Sequence, residues 1–357
     1  MSARALPHEI GAVGIAGHLR GRPGAVTIAA LLALVVTLVV GVGLGSVRIG
    51  PADSIGVILW RAFGMDLGRT WTPATEAIVW DLRMPRVLTA MLVGAALAVA
   101  GATFQGLIRN PLADPYVLGT ASCAALGAAI AVVIPVHFVI VEFGLLHGLA
   151  FAFALITAFV VVKLGGGGSG GLTRLLLTGY AVGSILAALL TMAMYMSGQN
   201  LREIFSYLLG GLGGSSWIRL AVATPIVLVA CGVIATRARV LDGLLLGDAA
   251  AGHLGIDVGR ERGILLAMAA MATAAAVAIS GLIGFVGLVV PHVVRLVVGP
   301  GARRVIPLSA LVGATLLTAA DVVARLVGDI PVGVVMALLG APFFLFLLHR
   351  SRTGYEL

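Results

Sequence analysis

Asp321 and Arg325 stand four residues apart in an otherwise apolar run, the spacing that puts two side chains on one face of a helix. A carboxylate and a guanidinium so placed neutralise one another, and an ionisable group inside a membrane marks either a functional site or a buried structural pair. Arg83 and Arg86 flank Met84 and Pro85, with the proline suited to a first helical turn, and each arginine alone reads as an interface anchor. The longest polar cluster comprises Arg237, Arg239, Asp242, Asp248, His253, Asp257, Arg260, Glu261 and Arg262 around the run 244–255. Within it, residues 248–255 can form a short helix with Asp248 where a carboxylate suits a helix N-terminus. Such a helix beneath a bilayer is a docking surface for a partner; the competing reading is an ordinary solvated loop.

Covalent catalysis would need a nucleophile, a base and an orienting group converging in a pocket. The seven histidines are scattered, no HExxH occurs, and the carboxylates in the apolar runs are not paired with one another. Cys123 and Cys231 make neither a disulfide framework nor a metal cluster. A phosphate-binding loop would read GxxxxGK followed by Ser or Thr, yet the single lysine, Lys163, precedes the glycines and is followed by Leu164. The expectation is therefore a chain that is not an enzyme and holds no metal or cofactor. Any ATP and Mg that drive it would be bound by another subunit.

The elements that carry these groups are set by composition. Of 357 residues 60% are apolar and 11% charged, with mean hydropathy +1.12, where soluble domains carry about 25% charged residues. Ten runs are long and apolar enough to span a bilayer, at 26–46, 86–107, 114–135, 138–162, 172–198, 217–236, 261–281, 283–298, 305–324 and 331–349. Fifteen of the 23 Lys and Arg residues fall on the cytoplasmic side if the N-terminus is inside, so the positive-inside rule favours N-in/C-in. The net charge of +8 reports that topology rather than nucleic-acid binding. The fold class is all-α polytopic membrane protein. Spans two to five and seven to ten form two groups entering from opposite sides, an inverted repeat, with residues 106–111 and 287–291 alike but short. The chain divides into a cytoplasmic segment 1–25, a single membrane domain 26–350 with a cytoplasmic loop 238–260, and a cytoplasmic tail 351–357. The glycine run 165–171 reads as a flexible turn.

Taken together, these stretches resemble the FecCD-type permease family of type II bacterial ABC importers for vitamin B12, ferric siderophores and haem. The resemblance rests on residues 81–86 (DLRMPR), Ala100-Gly101 with Gln105, 109–119 (RNPLADPYVLG), 245–248 (LLGD) with Leu254-Gly255, 279–292 (ISGLIGFVGLVVPH), and Pro331-Val332-Gly333 followed by 340–344 (GAPFF). It runs in order from about residue 80 to 350.

The resemblance implies a homodimer in the bacterial inner membrane, two cytoplasmic ATP-binding cassette ATPase subunits and an extracytoplasmic substrate-binding protein. It assigns Gly247, Asp248, Ala249, Ala250, His253, Leu254 and Gly255 to a coupling helix seated in the ATPase. Arg83, Arg86 and Arg325 match outer-face arginines that meet carboxylates of the binding protein. Gln105, Met192, Met194, Tyr195, Met196 and Asn200 are the candidates for the translocation pathway, a Met-rich helix being equally at home in a core. The chain departs from the family at Ala249, where Glu is frequent, at Asp329-Ile330-Pro331, where Glu-Leu-Pro is usual, and at Cys123, where Gly is common. A ferric siderophore is the expected cargo by abundance, with haem or cobalamin as alternatives. The competing class is a stand-alone transporter driven by an ion gradient, which would not depend on Gly247 and Asp248.

Overall fold

The computed structural model describes residues 23–45, 47–65, 68–134, 139–140, 143–165 and 171–352. Most of the expected segment 1–25, most of the glycine run 165–171 and residues 353–357 of the tail lie outside the described residues. The helices are α1 Pro23–Gly43, α2 Pro51–Phe63, α3 Pro73–Ile108, α4 Thr120–Val133, α5 Leu145–Gly165, α6 Gly171–Met196, α7 Leu201–Leu209 and α8 Trp217–Thr236. They continue with α9 Ala238–Leu245, α10 Asp248–His253, α11 Val258–Ser280, α12 Val286–Val298, α13 Ala302–Leu326 and α14 Val332–Arg352. A two-residue antiparallel ladder, Val139–Ile140 with Phe143–Gly144, joins α4 to α5. Seven of the described helices are long and apolar enough to cross a membrane, and α4, α12 and α14 are shorter apolar helices at the remaining expected positions.

α3 is the axis of the subunit. Every residue from Ala96 to Ile108 is buried, as expected of a helix that is apolar all round, and α8, α11, α12 and α13 surround it. Small residues permit this. A Cβ on Gly94 would strike the Gly313 carbonyl of α13, and one on Gly101 would strike the Gly287 carbonyl of α12. In lipid, where apolar surface alone gives helices no reason to associate, such close backbone approach supplies the packing.

Two local features correct the expected spans. The second begins 13 residues before residue 86, because the helix passes Pro85 without breaking. The Pro85 ring crowds the carbonyl four residues back, and the turn Ile78–Arg83 widens to a π-helix in which the Met84 N–H reaches the Val79 carbonyl. The expected span at 283–298 starts at Val286, since Gly281 and Phe285 both take positive φ. The non-helical backbone between them is satisfied by protein rather than lipid, as it must be at that depth. The Tyr116 hydroxyl donates to the Ile283 carbonyl at 3.0 Å and accepts from its N–H at 3.2 Å. Leu282 N–H reaches the Tyr207 carbonyl, and Gly211 N–H the Ser280 carbonyl.

Candidate functional site

At the cytoplasmic end, α8 gives way at Arg237 to α9, and Arg237 binds Glu261 of α11 at 2.9 Å. Leu241 and Leu244 are buried, with Leu241 packed where a Cβ on Gly106 would sit. Gly247, at φ 109, turns the chain into α10, and Gly255, at φ 77, turns it out again. The helix expected over 248–255 stops at His253, where the Leu254 N–H folds back onto the Ala250 and Ala251 carbonyls. Ala251 is the buried foot of this hairpin, Ala250 is half-buried, and Ala249, His253, Leu254 and Gly255 are exposed. Leu246 and Leu254 are 69% and 63% exposed, an apolar edge rimmed by charge.

Asp248 turns back toward its own subunit. It meets Arg109 at the end of α3 at 2.6 Å and Arg262 in the first turns of α11 at 2.8 Å, while Arg109 Nε also donates to the Leu244 carbonyl at 3.0 Å. The hydrogen bond from Arg262, then that from Arg109, holds the Asp248 carboxyl below the usual carboxylate range. Because its folded value is depressed, the bridge is intact above the ordinary carboxylate range and is lost as pH falls through that lowered value. No local spacing marks either arginine for this role, although Arg109 opens the RNPLADPYVLG stretch.

At the opposite end, Arg83, Arg86 and Arg325 line one hollow of about 390 Å³ with Val47, Gly213 and Asp329. All three are engaged inside the subunit. Arg83 donates to the Val42 and Gly43 carbonyls at 2.9 Å and to that of Val47, closing the end of α1. Arg86 reaches Asp321 at 3.0 Å and Asp329 at 2.7 Å. Arg325 pairs with Asp321 at 3.0 Å, as the four-residue spacing predicts, and donates to the Leu44 carbonyl at 3.0 Å. Asp321 is fully buried beneath the two guanidinium groups.

The pathway candidates divide. Met192, Tyr195 and Met196 are 59%, 87% and 63% exposed on one side of α6, with Asn200 exposed just beyond and Met194 half-buried. Gln105 does not join them; it is buried between α3 and α12. Its amide donates to the Leu288 carbonyl at 3.0 Å and its oxygen accepts from Arg295, whose guanidinium also binds the Ala102 carbonyl at 3.1 Å. Gln105, three residues before the end of α3, is thus held inside the subunit, its amide taken up by neighbouring backbone and by Arg295. Gln105→Leu, similar in volume, leaves Arg295 and the Leu288 carbonyl short of a partner. It is expected to cost about 1–3 kcal/mol, read as a lowered melting temperature of the purified protein. Cys123 donates to the Phe153 carbonyl at 3.0 Å and accepts from Thr157, tying α4 to α5.

The FecCD transport family model matches residues 32–350. The cobalamin import system permease protein BtuC of Halobacterium salinarum is 43% identical over 280 residues, 78% of this chain and 75% of that protein. The hemin transport system permease protein HmuU of Yersinia pestis is 38% identical over 332 residues, 90% of this chain and 96% of that one. Among solved structures, an inward-facing metal-chelate type ABC transporter superposes with a TM-score of 0.79 at 29% identity, covering 92% of this chain and 99% of that one.

Proposed function

The chain belongs to the FecCD transport family, and from that premise we propose that it is the permease of an ATP-driven importer that carries a metal tetrapyrrole, a corrinoid first and haem second. It is a multi-pass membrane protein whose family members are transport subunits rather than enzymes. The substrate reading is supported by relatives named for cobalamin and hemin import; a ferric siderophore retains only family membership in its favour.

The observation that carries the mechanism is the pinning of α10. Asp248 joins the ends of α3 and α11 to a short helix that projects an apolar edge outside the bundle. A partner ATPase that binds ATP and Mg and seats α10 could therefore displace the two most buried helices together, with no covalent chemistry on this chain. Each bound partner shifts the access equilibrium only by its preference for one state. We assign docking of the binding protein to the rim around Arg83, Arg86 and Arg325, where charge pairs set encounter and register. The exposed side of α6, with Leu338 and Leu345 of α14 at 69% and 66% exposure, suits a two-fold partner copy with the pathway between.

The test is reconstitution in liposomes with ATPase and binding protein, measuring ATP-dependent uptake of cyanocobalamin, haem and a ferric siderophore in parallel. Uptake of cobalamin or haem alone supports the reading, siderophore uptake alone overturns the substrate assignment, and uptake without ATPase overturns the importer. In the same system Asp248→Arg, which repels Arg109 and Arg262, is expected to lower transport per ATP by about 5- to 150-fold, the usual span of a coupling free energy. ATPase turnover persists.

A further inference from the structure

We propose that the cleft between α5 and α11 binds one anionic phospholipid of the inner leaflet, with an acyl chain in the cleft and the phosphate between Lys163 and Arg260. The cleft encloses about 470 Å³ and is lined only by apolar side chains and glycine, among them Phe159 and Val162 of α5 and Gly263, Ala267, Ala270 and Met271 of α11. That volume lies within the about 300–1,000 Å³ usual for small-molecule sites. Nothing in it could orient a polar solute, so the occupant of its depth is a hydrocarbon chain.

Position and length narrow the choice. α11 rises from the cytoplasmic loop, and its lining residues run from Gly263 to Met271, a rise of about 12 Å at 1.5 Å per residue. Half of a 30 Å hydrocarbon core is about 15 Å. The cleft therefore starts at the cytoplasmic border and ends near the midplane, the reach of one inner-leaflet chain. The outward side of α5 bears Ile156 and Phe159 at 59% and 63% exposure, so the cleft opens toward lipid.

Two cations frame its mouth. Lys163, the only lysine of the chain, stands in the last turn of α5, one turn beyond Phe159, with its ammonium 5.6 Å from the centre of that ring. Arg260 is exposed in the first turn of α11, three residues before Gly263 and seven before Ala267, hence on the same face. Its backbone N–H is taken by Asp257 at 3.0 Å, and neither its guanidinium nor the Lys163 ammonium pairs with a carboxylate among the described residues. Long cationic side chains at helix ends extend to the headgroup layer, and basic clefts between spans on this side of a membrane hold anionic headgroups.

The experiment uses the purified full chain, delipidated in mild detergent and offered equimolar dioleoyl-phosphatidylglycerol and dioleoyl-phosphatidylcholine, with bound lipid counted by native mass spectrometry. Retained phosphatidylglycerol is expected to exceed phosphatidylcholine by about fivefold per cation. The double variant Lys163→Gln/Arg260→Gln should bring the ratio to parity without lowering the lipid count, and Ala267→Trp should remove the lipid whatever its headgroup. Equal retention of the two lipids by the native chain, or a ratio unmoved by the double variant, overturns the proposal. So does efficient disulfide cross-linking of Ala267→Cys to a second copy, which would show that protein covers the cleft.

Discussion

Asp321→Ala is expected to destabilise the subunit by about 3–5 kcal/mol, the cost of breaking a buried ion pair from one side. Asp321 is fully buried and joins Arg86 of α3 to Arg325 of its own helix, both at 3.0 Å. Removing it leaves two guanidinium groups, 14% and 7% exposed, facing one another with no carboxylate between them. Asp329 cannot substitute, because it stands 64% exposed at the end of the Arg86 side chain. For the same reason Asp329→Ala should cost at most about 1 kcal/mol, the usual value of a solvated pair. The contrast between the two aspartates is read from unfolding of the detergent-purified chain. A loss at Asp321 no larger than at Asp329 would mean that the buried triad is not what holds α3 to α13 at this end. Asp321→Asn, which keeps the shape and one acceptor, is expected to fall between.

The same triad shows what a sequence does and does not disclose. Asp321 and Arg325 are legible as a pair because a helix places residues four apart on one face. Arg86 joins them across 235 positions, and no local spacing encodes that. Gln105 is hidden for a related reason: a polar side chain in an apolar run signals that something must satisfy it, but its partners, the Leu288 carbonyl and Arg295, stand 183 and 190 positions away. The spans are legible because lipid admits only long apolar helices or closed barrels. α2 and α7 are not, since short helices carrying Asp53 with Arg61, or Arg202 with Glu203, fall below any hydropathy threshold. The extension of α3 back to Pro73 is hidden because proline ordinarily reads as a helix boundary. The segment 244–255 is readable for its turns, through Gly247 and Gly255, but the inward direction of Asp248 depends on Arg109 and Arg262.

Gly101→Ala should be the most damaging glycine-to-alanine change among the described residues. The added carbon would fall inside the backbone carbonyl of Gly287, and backbone on both sides leaves no side chain to rotate away. α3 cannot retreat, because two turns earlier Gly94 is seated against the Gly313 carbonyl of α13. It cannot slide either, because Gln105 holds the Leu288 carbonyl one turn later. Overpacking costs about 1–3 kcal/mol and sometimes more, and with both exits closed the upper end applies, together with displacement of α12 from α3. Gly106→Ala differs: the nearest atoms its methyl would meet belong to the Leu241 side chain, at 2.9 Å and beyond, and a leucine can rearrange, which puts the cost at the lower end, about 1 kcal/mol. At Gly232, in α8, nothing lies within 4 Å, so alanine there should be neutral or slightly stabilising through helix propensity. Melting temperatures of the three variants should rank Gly101→Ala far below Gly106→Ala, and that below Gly232→Ala. If Gly101→Ala melts with the native chain, the helices are free to part by a methyl's width, and the Gly101–Gly287 approach is not what seats α12 on α3.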